Sequence, residues 1–341
     1  MRQLARDLYH FFRVSAFGAT AVLPVLGAAS ADHELGTRRA LGLLGVAVAF
    51  HAFAYAHNDV CDLAVDRTQP LRAAYPLVRG AVSPRAAMTV ALACVPVAFA
   101  AGELAAAGPR RLTPRAYLAV AFGLMAAYNR WGKRCAFPPL TDLVQGLGWA
   151  ALLAFGATAT GRRPTRLTGL LVGYEVLLIL MVNSVHGGLR DLGNDLTTGA
   201  RTTPIMFGAR VQTDDSLAVP PAFLAYALTL QAALLALPLW AAVTNVGGYS
   251  ARGRVSALAG VGTVAALTLA LPGAAARGKP RAADVGMLHL MLILTPPLAL
   301  AAPAMAPAPR AVLLLAHTLP LLANGMTYDA LRWALGLRRA P

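Results

Sequence analysis

Ten apolar stretches divide the chain, at about residues 9–31, 39–60, 84–107, 114–129, 139–160, 166–188, 217–244, 255–275, 284–304 and 310–328, with short connections between them. A bilayer's hydrocarbon core takes about 20 helical residues to cross, and it offers backbone N–H and C=O groups no water. Each span must therefore satisfy its own hydrogen bonds, which a helix does. The expected fold is all-α: a polytopic membrane helical bundle of about nine or ten transmembrane helices, forming one membrane-embedded domain over residues 1–341. Hydrophobic residues make up 57% of the chain and charged ones 13%. That is about half the charged share of a soluble domain, so no soluble domain of ordinary size fits beside the spans. The 23 prolines do not argue against helices, because neighbouring helices re-satisfy the carbonyls that Pro frees.

Acid is scarce in this chain, 15 Asp plus Glu among 341 residues, and it is concentrated. Asn58-Asp59-Val60-Cys61-Asp62-Leu63-Ala64-Val65-Asp66 ends the second stretch. On a continuous helix Asp59, Asp62 and Asp66 would project within about 60° of one another and form one patch. A second group, Asp191-Leu192-Gly193-Asn194-Asp195, closes the sixth stretch. Clustered carboxylates at a membrane helix end repel one another unless cations neutralise them. Hard oxygen donors suit Mg²⁺, which is usually held by one or two carboxylates together with a substrate phosphate. A single Asp at a helix end is ordinary capping; two matched DxxxD groups exceed that need.

Counting crossings puts both acid groups and the connection at 128–134 on one side of the bilayer. Lys and Arg are modestly more numerous on that side, so the site is expected to face the cytoplasm across the cell membrane. The loops after the two groups also look alike. Arg67, Pro70 and Arg79-Gly80 follow the first, and Arg201, Pro204 and Gly208-Ala209-Arg210 follow the second. An internal repeat, four spans apart, would set the acid groups across a shared cavity.

A net charge of +15 raises nucleic acid as a partner, but the Arg residues are scattered through short connections with no aromatic-interleaved stripe. The lipid bilayer and a phosphorylated substrate are the better partners. Cys61, Cys94 and Cys135 contain no CxxC pair and no metal-ligand spacing, which excludes a zinc site or disulfide framework of the usual patterns. A transporter would place its charge deeper, near the bilayer midplane. A membrane CDP-alcohol phosphotransferase would thread a Gly-Ala-Arg run through its acids, and no such run lies within either acid group here.

The motifs NDVCDLAVD at 58–66 and DLGND at 191–195 resemble the NDxxDxxxD and DxxxD motifs of the UbiA superfamily of intramembrane prenyltransferases. The resemblance spans about residues 9–304, including the number of stretches and the place of each motif. It implies a helical bundle of about nine spans around a central cavity opening to lipid. It also implies that Asn58, Asp62, Asp66, Asp191 and Asp195 bind a diphosphate through Mg²⁺, with Asp59 matching the motif's first acid. The loops LVRGAVS at 77–83 and RTTPIMFG at 201–208 resemble the family's as well. Tyr75 stands before Pro76 where many members carry Arg, which shifts the phosphate grip toward Arg72 or Arg79. The family's central-loop Tyr and Lys match Tyr128 and Lys133, although the spacing here is YxxxxK. The reaction implied is Mg²⁺-dependent transfer of an isoprenyl group from an isoprenyl diphosphate to an aromatic or other electron-rich acceptor. The alternative is a terpene cyclase acting on farnesyl or geranylgeranyl diphosphate without an acceptor.

That chemistry suits the residues. An allylic diphosphate ionises to a highly charged anion and a carbocation, so catalysis consists of holding the departing charge and excluding water. Acid groups without a paired nucleophile are equipped for metal-assisted ionisation. Arg67, Arg72, Arg79, Arg130, Lys133 and Arg201 are candidates for the phosphate cradle, since guanidinium forks match phosphate bidentately. Asn183 and His186 precede the second acid group and are candidates to orient an acceptor or take its proton. Tyr55, Phe122, Tyr128, Trp149 and Tyr174 are candidates to line the isoprenyl chamber. Arg13 is either a contact for an acceptor carboxylate or a topology anchor, and Glu175, in mid-span, is expected to face protein.

Overall fold

The computed structural model describes residues 2–322, except 33, 109–110, 214–215, 247–249 and 277–278. Among the described residues seven helices are long and apolar enough to cross a membrane: Val14–Ala31, Thr37–Cys61, Pro84–Ala105, Pro138–Ala159, Arg166–Arg190, Pro221–Thr244 and Ala251–Leu271. Leu112–Trp131 is a further 20-residue helix on the same path. The polytopic all-α bundle expected from hydropathy is the fold observed. One feature outside it is a two-residue antiparallel ribbon, Arg210–Val211 with Leu217–Ala218.

Two expected spans differ in detail. The stretch at 9–31 divides: Arg2–Phe11 is a separate amphipathic helix, and Arg13, at φ 43°, turns the chain before Val14–Ala31 begins. A left-handed backbone is uncommon for a residue with a Cβ, and here it redirects the Arg13 side chain into the bundle. The stretch at 284–304 is broken into Lys279–Leu292, Thr295–Ala301 and a short 3₁₀ turn, with Pro296, Pro297 and Pro303 removing backbone donors. The last expected span begins as Pro307–Leu322; positions 323–328 lie outside the described residues.

Without water to drive helices together, spans associate through close packing, which small residues permit. Gly27 and Gly156 make the tightest approach. A Cβ on Gly27 would meet the Leu153 carbonyl and one on Gly156 the Pro24 carbonyl, so Val14–Ala31 and Pro138–Ala159 touch backbone to backbone. Thr37–Cys61 packs on Pro84–Ala105 through buried Ala87, Ala91, Ala98 and Ala105, which recur on one helical face. The opposite faces carry Leu92, Val97, Leu104, Val120 and Val243 outward, as lipid-facing helices do. Helix starts are fixed locally. Ser83 accepts from the Ala86 N–H ahead of a Pro at the first turn, and Thr165 and Thr168 form a reciprocal capping box.

The acid-bearing ends share one geometry. Thr37–Cys61 stops at Asp62 (φ −98°, ψ 7°) and restarts as Leu63–Asp66; Arg166–Arg190 stops at Asp191 (φ −95°, ψ 2°) and restarts as Leu192–Thr198. Each is followed by a P-x-x-x-G turn in which the residue after the glycine bonds back to the Pro carbonyl. Ala81 N–H reaches Pro76 at 2.8 Å and Ala209 N–H reaches Pro204 at 2.9 Å. Gly80 and Gly208 take φ 81° and 90°, where glycine is the residue without a steric penalty. The backbone repeats as the sequence loops suggested, except that the counterpart of Pro204 is Pro76 and not Pro70. The assumption of one continuous helix through Asp59, Asp62 and Asp66 does not hold, because the break at Asp62 separates Asp59 from the other two.

Candidate active site

The two restarted helices pack against each other. Asn194 Nδ2 donates to the Val65 carbonyl at 3.3 Å and Thr68 Oγ1 donates to Asn194 Oδ1 at 3.0 Å. Val65 and Asn194 occupy equivalent places in the repeat, so equivalent positions meet each other, as they do beside a pseudo-two-fold axis. The consequence is that Asp62, Asp66, Asp191 and Asp195 line a single cavity of about 350 Å³, with Asn58 beside them. Asn58 Nδ2 donates to Asp62 Oδ2 at 3.1 Å.

Cations converge on the same cavity. Lys133 Nζ lies 3.2 Å from Asp195, Arg72 Nε 4.0 Å from Asp66, and Arg190 holds both oxygens of Asp191 at 2.9 and 2.7 Å. Gln69 Nε2 adds a bond to Asp191 at 3.2 Å. Burial pushes the Asp62 carboxyl above its ordinary range, against the pull of Lys133. Burial likewise raises Asp195, again opposed by Lys133. Burial acts on Asp191 too, but the bonds and charge of Arg190, with Lys133 and Arg72, outweigh it and leave that carboxyl below the usual range. Within one cluster, two carboxylates are thus held above the ordinary range and one below it.

Of the residues expected at the site, Asn58, Asp62, Asp66, Arg72, Tyr128, Lys133, Asp191, Asp195 and Arg201 all line the cavity, as do Asn183 and His186. Asp59, Arg67 and Arg79 do not line it. Asp59 is buried and takes an ion pair from Arg13. Arg79 pairs with Asp7 of the first helix, and Arg67 and Arg130 are exposed. Tyr55, Tyr128 and Trp149 face the cavity with Ala54, Met125, Val182 and Leu290, giving it an apolar wall. Phe122 instead packs among Phe50, Phe53 and Phe99, and the Tyr174 hydroxyl donates to the Ile293 carbonyl. Glu175 is buried in protein as expected. His51 bridges Thr20 and the Phe12 carbonyl, and His57 stacks on Phe53, so both serve packing.

Several site residues escaped the sequence reading. Arg190 directly precedes the second acid group, and that adjacency was the available signal. Gln69 carries a weaker one, whereas Asp142 stands in a stretch, DLVQGLG, that already resembles the family in sequence. Asp142 Oδ2 accepts from Ser184 and from Thr203, each at 2.6 Å, fixing the Thr203-Pro204 loop against Pro138–Ala159. Among the described residues, four buried polar atoms of cavity-lining side chains have no protein partner: Arg13 Nε, Gln145 Oε1, Asn183 Nδ2 and Thr202 Oγ1. Unpaired buried polar atoms are costly, and four around one cavity fit a polar ligand. Among the described residues no three His, Cys, Asp or Glu side chains form a metal set on their own. The donors present are paired hard oxygens on opposite walls, which fits Mg²⁺ completed by phosphate oxygens and water.

Fold and site together define a class of polytopic helical membrane protein whose cavity sets paired acid groups and cations against an apolar wall. The profile of the UbiA prenyltransferase family matches residues 18–270, and the chain belongs to that family. A structure of a digeranylgeranylglyceryl phosphate synthase is similar at a TM-score of 0.61 and 16% identity, over 89% of this chain and 99% of that one. The apo structure of a UbiA homologue from Aeropyrum pernix K1 matches at 0.61 and 20% identity, over 86% and 97%. A UbiA homologue from Archaeoglobus fulgidus, bound to GPP and Mg²⁺, matches at 0.57 and 14%, over 95% and 99%. No curated protein matches the sequence significantly.

Proposed function

We propose that this protein transfers an isoprenyl group from an isoprenyl diphosphate to an aromatic or other electron-rich acceptor within the membrane, with Mg²⁺ as cofactor. The observation that carries this reading is the convergence of Asp62, Asp66, Asp191 and Asp195 on one cavity that also has an apolar wall. Relatives support it, since homologous structures contain GPP or DMAPP with Mg²⁺. Asn58, Asp62 and Asp66 on one wall and Asp191 and Asp195 on the other would hold the metal. When bound, Mg²⁺ supplies Lewis-acid stabilisation of the departing diphosphate.

The chain's own residues do the rest. Arg72, Lys133, Arg190 and Arg201 line the cavity and are placed to take phosphate oxygens, adding fixed positive charge where negative charge develops. Tyr128 and Trp149 line the chamber and are placed to steady a cation formed there, while the Tyr55 ring is taken by the Arg13 guanidinium 4.8 Å from its centroid, and the apolar wall keeps water from the cation. The acid-bearing ends carry the larger share of Lys and Arg, which supports a cytoplasmic-facing site.

The test is product analysis by mass spectrometry on the purified protein, with dimethylallyl, geranyl, farnesyl and geranylgeranyl diphosphates, with and without Mg²⁺ and a panel of phenols. The expected result is Mg²⁺-dependent diphosphate release and a prenylated phenol. A cyclic hydrocarbon released without any acceptor would replace this reading with cyclisation. No diphosphate release from any donor would remove the enzyme assignment.

A further inference from the structure

The sixth span does not end as a regular helix. Residues Met181–Gly187 form a π-helical turn, a geometry found mostly as single turns at functional sites. The turn carries Asn183 and His186, which both line the cavity. His186 is the first member of a hydrogen-bonded chain that leads away from the cavity into the bundle. His186 Nε2 lies 3.2 Å from His289 Nδ1, His289 Nε2 lies 3.1 Å from Thr268 Oγ1, and Thr268 Oγ1 lies 2.9 Å from the Val264 carbonyl. His289 is 1% exposed. Neither His289 nor Thr268 lines the cavity, and neither belongs to the motifs or cation set described above.

The chain has a fixed direction. A carbonyl oxygen only accepts, so Thr268 spends its single hydroxyl proton on Val264. Thr268 therefore accepts from His289, and His289 Nε2 carries the N–H. In a neutral imidazole the other nitrogen is then a lone pair, so His289 Nδ1 accepts and His186 Nε2 donates. His186 Nδ1 remains as a lone pair, with no protein partner among the described residues, in a side chain that lines the cavity. On the same turn, the Asn183 Nδ2 donor is buried without a partner among the described residues.

We infer that His186 is the base that takes the proton the acceptor must lose, and that His289 and Thr268 hold it in the competent tautomer. The inference rests on the prenyl-transfer reading. In the step, the acceptor's nucleophilic atom bonds to the allylic carbon while the carbon–oxygen bond to diphosphate breaks, its electron pair leaving on the diphosphate. The acceptor's proton passes to His186 Nδ1, giving an imidazolium whose Nε2–H stays on His289 Nδ1. The proton leaves to water when the cavity empties. Asn183 Nδ2 is available to an acceptor oxygen, so the acceptor class is one with both an oxygen and an ionisable proton, such as a phenol.

The charged and titratable groups that act on His186 are His289 from Lys279–Leu292 and Arg190 of its own span, while Asp142 of Pro138–Ala159 and Tyr226 of Pro221–Thr244 bond to Ser184 on the same turn. Asp142 is already engaged by Ser184 and Thr203. His186 is the cavity-lining nitrogen left with a lone pair to offer.

Two measurements on the full chain in detergent or nanodiscs decide the matter. In the substrate-free protein, ¹⁵N NMR of the His186 ring should show a protonated Nε2 and a bare Nδ1; the reverse tautomer would overturn the assignment. With geranyl diphosphate, Mg²⁺ and the phenol panel, His186→Asn should lower prenylated phenol by about 10²- to 10⁴-fold, the usual range for a lost general base. Diphosphate release should continue, now with prenyl alcohol as product. Undiminished prenylation in His186→Asn overturns the inference and leaves prenyl transfer standing, whereas absent diphosphate release from wild type removes both. For the positioning role, Gln at 289 retains an acceptor toward His186 and a donor toward Thr268, and Leu retains neither. His289→Gln should keep kcat within about threefold and leave the acid limb of the kcat/KM profile in place. His289→Leu should lower kcat about tenfold at unchanged KM and move that limb. Equal behaviour of the two variants would refute it.

Discussion

The two acid-bearing ends are copies of one design with different electrical surroundings. Asp191 and Asp195 follow Asp62 and Asp66 at a constant offset of 129 residues, and both first acids sit at a helix break with near-identical backbone angles. At the place before the first acid, however, the second copy has Arg190 and the first has Cys61. Arg190 grips Asp191 with two bonds, whereas among the described residues the Asp62 side chain is bonded by Asn58 alone. Three positions before the first acid, the second copy has Gly188, packed on Pro204, and the first has Asp59, paired with Arg13. Asp191 is therefore neutralised by a directly bonded protein cation, whereas Asp62, among the described residues, is bonded to none. The lesson is that matched motifs need not share a metal equally.

The largest effect should come from removing the acids themselves. Asp62→Ala and Asp191→Ala should each lower turnover about 10³-fold or more, about 4 kcal/mol of barrier, with the protein still folded. Mg²⁺ titration should then separate the copies, with affinity falling further in Asp62→Ala. Equal losses would break the asymmetry. Next is the pair found only in the first copy. Arg13→Ala leaves Asp59 buried without its cation and should cost about 3 kcal/mol of stability, measured by thermal unfolding in detergent. Adding Asp59→Asn should recover most of it, and no recovery would mean that the pair is incidental. Removing the cations of the second copy, Lys133→Ala or Arg190→Ala, should reduce kcat/KM about 10- to 100-fold, while raising the protein's demand for Mg²⁺. The smallest effect is expected at Arg67→Ala, whose exposed side chain lies off the cavity. Its stability and kinetics should stay within about 0.5 kcal/mol of wild type.

Much of this was readable from residue order. The apolar stretches placed the spans to within a few residues because the bilayer fixes their length, and the repeat showed through its acids, prolines and glycines. What sequence periodicity missed has identifiable causes. Assuming 100° per residue joined Asp59 to Asp62, but Arg13, 46 residues away, draws Asp59 aside and the helix breaks at Asp62. The π turn at Met181–Gly187 changes the register of His186 in a way no 3.6-residue count reveals. His289 lies 103 residues from its partner in a weakly apolar segment, so only the folded chain could connect them. Arg67 and Arg79 were reasonable phosphate ligands by proximity in sequence, yet the loop turns both outward.

The central claim is that the two acid groups grip one metal-bound diphosphate together. Calorimetric binding of a non-ionisable geranyl thiodiphosphate, with and without Mg²⁺, tests it on wild type, Asp62→Asn and Asp191→Asn. Binding is expected to be Mg²⁺-dependent in wild type and to be lost in either single variant. Retention of wild-type affinity in either one would show that a single group suffices and would contradict the shared grip.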